Sequence, residues 1–497
     1  MSPRPHRGSR TAAAAAALTL SATLLAGCAS VSPDGLRSEV QALAQGRTAG
    51  VDAPALPAAD AAAQAEAQAA IQRWLAEPLT ADTAVRIALL NHPGLQARLA
   101  QLGVQDADRV RALTLPNPRL GIGRLVNGHE REIERSLSFG LIDLVTLPWR
   151  ARWQAQALQQ ATLSAAEEVA RRATEARRAW ITAVAAQQVL AAHERMHEAA
   201  EVGAELARRM ARVGHWSRLQ EAREQAALAG SGARLAQARL AAATAHEELA
   251  RALGLWGASA QFTLAGRLPE LPAQPLAADG IEARALRERL DVQAARLALE
   301  RTADQQGTSG IASVFGDIGL RYQRNTTTSR DAAAQSDMQR DVQRGWELAL
   351  PLPLFDWGGA ASARARALTQ QSAAELQHTA LGARSEVRTR WLAYRTAWEL
   401  ARQQADAVVP LQRAIQEETL LRYNGMLASV WDLLAEARAS TAAVAQATQA
   451  QRDFWLADAD LQFAITAGSP GPGAIASAGT LAAALSAPST SSSSAGH

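Results

Sequence analysis

The chain contains no lysine. All 51 of its basic side chains apart from histidine are arginine, set against 48 acidic ones, so the formal net charge is only +3. The two signs are interspersed and not blocked, which reads as solvated helix faces with i,i+4 pairs and not as a nucleic-acid surface. Cysteine is scarce as well. Cys28 stands alone, so no intramolecular disulfide can form. Aromatic residues make up 4% of the 497 positions, and the 48% counted as hydrophobic is dominated by alanine. Alanine forms helix well and buries little area, which favours long, closely packed helices over one thick core. Long apolar runs are also missing. No segment is suited to span as a transmembrane helix, so a bilayer could be crossed only by strands closed into a barrel.

The N-terminus carries a targeting signal. Arg4, Arg7 and Arg10 precede an apolar run from Ala12 to Ala26, too short for a stable span. It ends in Leu25-Ala26-Gly27-Cys28, similar to a bacterial lipobox, which implies cleavage after residue 27 and lipidation (palmitate among the acyl chains) at Cys28. Ala29 rather than Asp follows, which by resemblance to enteric lipoproteins implies the outer membrane. Residues 28–77 are Ala-, Ser- and Pro-rich and read as a tether with some helix.

From residue 78 the chain gives one plan twice. Thr80 or Asp82 caps a helix whose buried face includes Val85, Leu89, Leu95 and Leu99, interrupted at His92-Pro93 and ended by Pro116 and Pro118. A short strand through Leu120 and Ile122, an Asn127-Gly128 turn and a strand from Glu132 to Leu141 follow. Pro148 then precedes a helix of about 60 residues, Trp149 to Val213, near 90 Å long at 1.5 Å per residue. Gly214 breaks it, and a second helix runs from Ser217 to Leu253. Residues 78–256 form the first repeat, and a Pro-rich linker, 257–275, separates the halves. The second repeat, 276–467, has a strand through Val314, Ile318, Leu320 and Tyr322 and a polar loop from Asn325 to Arg340. A strand through Val342, Trp346, Leu348, Leu350 and Leu352 comes next, with Arg344 the one charge on its apolar face. A long helix from Ala360 to Tyr423 is expected to kink or break at Pro410. Asn424-Gly425 stops it, and a final helix starts at Ser429. The tail 468–497 has no pattern and is expected to be disordered.

This duplicated order resembles the TolC-like outer-membrane efflux proteins. The junction Leu352-Pro353-Leu354-Phe355-Asp356-Trp357-Gly358-Gly359 and the far turn Arg422-Tyr423-Asn424-Gly425 with Ser429-Val430-Trp431-Asp432-Leu433-Leu434 carry the likeness, across residues 78–467. With the lipobox, it is most similar to the lipid-anchored partners of tripartite pumps. The resemblance implies a mainly α fold with a transmembrane β part. Long antiparallel helices would form an α-barrel, and four strands per chain would complete a twelve-stranded barrel in a homotrimer. It also implies a passive exit duct in the outer membrane reaching into the periplasm of a Gram-negative cell, with a periplasmic adaptor and an inner-membrane transporter as partners. Strand number supports an oligomer independently, because four spanning strands cannot close alone and open sheet edges are not tolerated in lipid.

Acidic residues past the second turn line the constriction of the family, which points to Asp432. The next acidic position of the family is Ala435 here, and Glu436, Glu221 and Glu224 are further candidates for charge. Carboxylate rings favour cations and repel one another unless arginines pair with them, for which Arg218, Arg223 and Arg422 are placed. The turns holding Gly214 and Ser217, and Gly425 and Ser429, resemble the tips that meet the adaptor. One motif points elsewhere: His193-Glu194-Arg195-Met196-His197 is a formal H-E-x-x-H, the spacing of a zinc protease helix. Gly203 stands where a third histidine would follow, and the matching second-half positions, near Gln404 and Val408, carry no ligands. No catalytic set, cofactor or metal site is therefore expected. The rivals to the channel are a periplasmic coiled-coil adaptor or scaffold lipoprotein, which would carry a lipoyl-like β domain absent here, and the zinc metalloprotease.

Overall fold

The computed structural model describes residues 30–52, 56, 60–128, 130–314, 318–330, 338–352 and 354–471. The leader with Cys28, residues 331–337, Pro353 and the tail beyond Gly471 lie outside them. Helices α1 (Arg37–Ala44), α2 (Ala61–Leu75), α3 (Ala81–Asn91) and α4 (Pro93–Leu113) precede strands β1 (Arg119–Asn127) and β2 (Glu130–Gly140). Helices α5 (Ile142–Arg212), α6 (Arg218–Ala252), α7 (Ile281–Glu288) and α8 (Leu290–Val314) lead to strands β3 (Gly319–Arg330) and β4 (Met338–Ala349). Helix α9 (Gly359–Gln403), a π-helical turn at Gln404–Val408, α10 (Val409–Asn424) and α11 (Val430–Thr466) complete the described chain.

Local chemistry sets most of these boundaries. Thr80 caps α3 in a reciprocal box with Thr83. The chain restarts at Pro93, whose missing N–H is harmless in a first turn. Pro410 does interrupt its helix. The Val409 N–H donates to the Gln404 carbonyl, so one wide turn absorbs the fault immediately before the proline. Pro148 behaves differently from the expectation that it precedes α5. The helix already starts at Ile142 and carries Pro148 inside it, with the Thr146 hydroxyl donating to the Ile142 carbonyl at 2.8 Å.

The chain forms two compact units, each drawing on both halves of the sequence. One comprises Ala100–Thr162 and Ala295–Leu376 with the residues up to Leu36, and holds the sheet. The sheet is antiparallel with order β1-β2-β3-β4. Two expectations are corrected here. Val314 ends α8 and is not in a strand, and Asn325–Arg330 and Met338–Arg340 extend β3 and β4 instead of forming loop. The β-branched run Thr326-Thr327-Thr328 favours the extended backbone despite its polarity.

Register divides this sheet into two unlike faces. Leu120, Leu137, Tyr322 and Trp346 form one cross-strand row, and Phe139, Leu320 and Leu348 the next. The rings of Tyr322 and Trp346 are 4.9 Å apart between centroids. The opposite face carries Gly121, Gly123, Glu130, Glu132, Glu134, Ser136, Gln323, Asn325, Asp341, Gln343 and Glu347. The apolar row is open, with Leu120 and Trp346 each 70% exposed, while Thr326 nearer the hairpins on the same side is buried. The outer edges of β1 and β4 have no strand neighbour among the described residues.

The second unit comprises Arg37–Leu99, Leu163–Ala294 and the chain from Gln377. Its apolar core gathers Ile281, Val387, Tyr394, Phe454, Leu461 and Ile465. Buried charge is paired around it. Asp460 lies 2.7 Å from the Arg178 guanidinium and 3.3 Å from that of Arg390. Arg289, 2% exposed, meets Asp291 at 2.7 Å and Glu386 at 3.0 Å. Part of the segment read as a tether is packed onto this unit. Val40 and Ala44 are fully buried, and the Arg47 guanidinium donates to the carbonyls of Thr466 and Glu288 at 3.0 and 3.2 Å. Among the described residues, no helix is long and apolar enough to cross a membrane.

Candidate functional site

The two turns that end α5 and α10 are built alike. Each closes with a Schellman pattern, in which the His215 N–H donates to the Met210 carbonyl and the Leu427 N–H to the Arg422 carbonyl. The residue one position earlier must then be left-handed. Gly214 supplies it in the first turn at φ 78°, and Met426, not Gly425, supplies it in the second at φ 59°. Gly425 itself has φ −81° and belongs to the helix end. Three residues after each left-handed position a serine caps the next helix, Ser217 with Gln220 and Ser429 with Asp432, in reciprocal capping boxes.

Asp432 is thus held locally. Its Oδ2 accepts from the Ser429 hydroxyl at 2.7 Å and the Ser429 N–H at 2.9 Å. The hydroxyl bond first and the backbone bond second hold this carboxyl below the usual aspartate range. Glu224 has a different partner from those expected. Its Oε2 accepts from the Arg438 Nη2 at 2.9 Å, whereas Arg422 pairs with Glu418. Gly203 of α5 makes room for that pair, since a methyl group there would stand 3.0 Å from Arg438 and 3.4 Å from Glu224. Glu221 and Glu436 have no ion-pair partner among the described residues. Sequence reading also missed the rings of Trp216 and Trp431, 4.0 Å apart between centroids, which tie the first turn to the start of α11. The signal was present: each tryptophan lies within two residues of its capping serine. Around the turns Val213, Leu219, Leu421, Met426 and Leu427 are all exposed.

On the H-E-x-x-H helix, His197 has local partners. His197 Nδ1 shares a hydrogen bond of 2.9 Å with the Ser231 hydroxyl, and its Nε2 lies 3.5 Å from Glu201. No group of three or more potential ligands converges among the described residues.

No family model and no curated protein matches the sequence. Solved structures do. The CmeC outer membrane channel of Campylobacter jejuni superposes with a TM-score of 0.63 at 13% identity, over 80% of this chain and 88% of that one. This chain has the outer-membrane channel fold. The outer membrane protein VceC of Vibrio cholerae matches over 84% of this chain and all 100% of its own length, with a TM-score of 0.58 and 15% identity. The open-state MtrE outer membrane channel of Neisseria gonorrhoeae matches over 78% and 90%, with a TM-score of 0.57 and 16% identity. Within the outer-membrane channel fold, the mainly helical chain with one four-stranded antiparallel sheet is the architecture anticipated from the duplicated pattern.

Proposed function

We propose that this chain is the outer-membrane component of a tripartite efflux or secretion system, a passive duct from periplasm to exterior. The observation that carries the reading is the sheet: four strands with exposed apolar rows on one side, carboxylates gathered on the other, and two outer edges with no strand neighbour among the described residues. In hydrocarbon every backbone group must be paired internally, so such a sheet has to close against copies of itself. Three copies give the twelve strands of the resembling family, with Glu130, Glu132 and Glu134 facing the lumen and Leu120, Leu137 and Trp346 facing lipid. The fold shared with solved outer-membrane channels supports the same reading.

Residues 78–256 and 276–467 are then the two repeats of each protomer, joined by the linker 257–275. Cys28 is the lipid attachment point at the end of the signal 1–27, and 468–497 is a low-complexity tail. Gly214, Ser217, Gly425 and Ser429 mark the helix tips that dock a periplasmic adaptor, which in turn recruits an inner-membrane transporter. The exposed Leu427 and Met426 give those tips an apolar contact surface. Asp432, Glu436 and Glu221 supply carboxylates near the mouth, where repetition around an axis would favour cations, while the charge of Glu224 is matched by Arg438.

Purified full-length protein should run as a trimer in native mass spectrometry and pass cation-selective current in planar bilayers. A soluble monomer that conducts nothing would overturn the proposal. Cys28→Ser should abolish palmitate labelling while the barrel keeps the protein in the membrane fraction.

A further inference from the structure

The apolar face of the sheet changes character half-way along the strands. Beyond the row of Leu120, Leu137, Tyr322 and Trp346, the next row toward the hairpins is Ile122, Arg135, Arg324 and Arg344. Three arginines on adjacent strands are therefore direct cross-strand neighbours. The following rows add Arg124 beside Ile133, Thr326 and Val342, and then Arg131 and Arg340 beside Val126 and Thr328. No aspartate or glutamate stands on this face among the described residues. The strand carboxylates Glu130, Glu132, Glu134, Asp341 and Glu347 all occupy the other side.

This segregation has a physical consequence. Like charges directly opposite one another across strands are unfavourable, and an arginine on a lipid-facing strand is tolerated near the interface but not at mid-membrane. Among the described residues, Arg135, Arg324 and Arg344 form no ion pair with a carboxylate of their own chain. The row thus lacks an anion, and it sits where the apolar band gives way toward the hairpins. Guanidinium groups match phosphate oxygens with two parallel hydrogen bonds, which a point charge cannot do.

We propose that Arg135, Arg324 and Arg344, with Arg124, Arg131 and Arg340 beyond them, form a belt that binds the phosphate groups of a phosphate-bearing anionic lipid in the leaflet facing the hairpins. The inference rests on the membrane reading above. Charge complementarity and continuity with the apolar rows identify the occupant, whose acyl chains lie along Leu120, Leu137 and Trp346 while its phosphates meet the arginines. Three copies of the chain would present a basic collar interrupted only at Ile122 of each β1.

The test uses full-length protein reconstituted in phosphatidylcholine nanodiscs doped with bis-phosphorylated lipid A or with its dephosphorylated form. Native mass spectrometry counts retained lipid, and current in lipid A-free phosphatidylcholine bilayers is recorded separately. Wild-type protein should retain the bis-phosphorylated form selectively. The Arg135→Gln/Arg324→Gln/Arg344→Gln variant should bind it roughly a hundredfold more weakly, as expected for three basic groups at an anionic surface, with unchanged current. Equal retention of both lipids, or equal retention by both proteins, would overturn the belt while leaving the duct standing. Absent current with selective, arginine-dependent retention would overturn the duct instead. If the triple variant does not insert, Arg324→Gln alone and the triple arginine-to-lysine variant decide the matter: the first should weaken binding about fivefold, and the second should keep most of the charge attraction. No weakening in Arg324→Gln would count against the belt.

Discussion

Glu224 and Arg438 are 214 positions apart in sequence and 2.9 Å apart in space, joining α6 to α11 through one charge-assisted hydrogen bond. Both side chains are mostly buried, so the bond is poorly screened by solvent. Glu224→Gln or Arg438→Gln should each cost about 1.5–3 kcal/mol of stability. The exchange Glu224→Arg with Arg438→Glu should recover part of the loss. A double-mutant cycle by denaturant unfolding measures the coupling, and strictly additive losses would show that the pair does not hold the helices together.

Met426 occupies a backbone conformation that Gly214 adopts without strain in the matching turn. Met426→Gly should therefore stabilise the second turn by up to about 1 kcal/mol, the gain from left-handed φ being partly offset by glycine's greater freedom when unfolded. Thermal unfolding reads the change. If Met426, 93% exposed, instead serves adaptor contact, the same variant should weaken adaptor binding in surface plasmon resonance while raising Tm.

The capping serines were legible because each precedes a Gln or Asp by three residues, a pattern set by the reach of side chains around one helical turn. Pro410 was legible for the same local reason. Pro148 was not, because a helix that begins directly at the strand end can enclose a proline near its start, and no neighbouring residue announces that start. Asn424-Gly425 was legible as a helix stop from composition, whereas the hydrogen bond from Leu427 to Arg422 puts the left-handed residue at Met426. Glu224 was legible as a charge near the turn, but its partner depends on which helices pack together. The arginine row shows the same limit: Arg344 stood out within its own strand, while its neighbours Arg135 and Arg324 emerge only from the register.

Asp432 is engaged by Ser429, so its role at a mouth and its role as a cap can be separated. Asp432→Asn should alter cation block of single channels if the carboxylate faces the conducting path. Ser429→Ala should return the carboxyl toward the ordinary aspartate range, because the hydroxyl bond is the larger cause of its depression. A group held low in the folded state stabilises above its unfolded value, near 3.9, and loses that contribution as pH falls through the lower folded value. Block in Ser429→Ala should accordingly titrate at higher pH than in wild type. An identical pH profile in both proteins would remove Asp432 from the conducting path.

Asp458 is expected to act in the opposite sense. Burial pushes its carboxyl above the ordinary range, with Arg177 and a hydrogen bond to Gln462 pulling the other way. Between the unfolded and the raised folded value the native state binds more protons, so this group makes stability fall as pH rises through that window. Above the window the penalty is fully present. Differential scanning calorimetry from about pH 4 to 7 should show a flatter Tm profile in Asp458→Asn than in wild type. Parallel profiles would mean that the carboxyl titrates alike in both states.

The wide turn at Gln404–Val408 has a consequence for symmetry. One additional residue in the ladder advances the angular phase of every downstream side chain by roughly 100°. Helix α10, which packs on α11, therefore presents a face turned from the one an unbroken helix would present, and α5 has no such wide turn, even though both arms finish in the same hydrogen-bonded turn. Near-twins become distinguishable along their length. In the proposed trimer a ring of such chains would alternate between two kinds of arm, so anything that grips it would encounter three equivalent seats and not six.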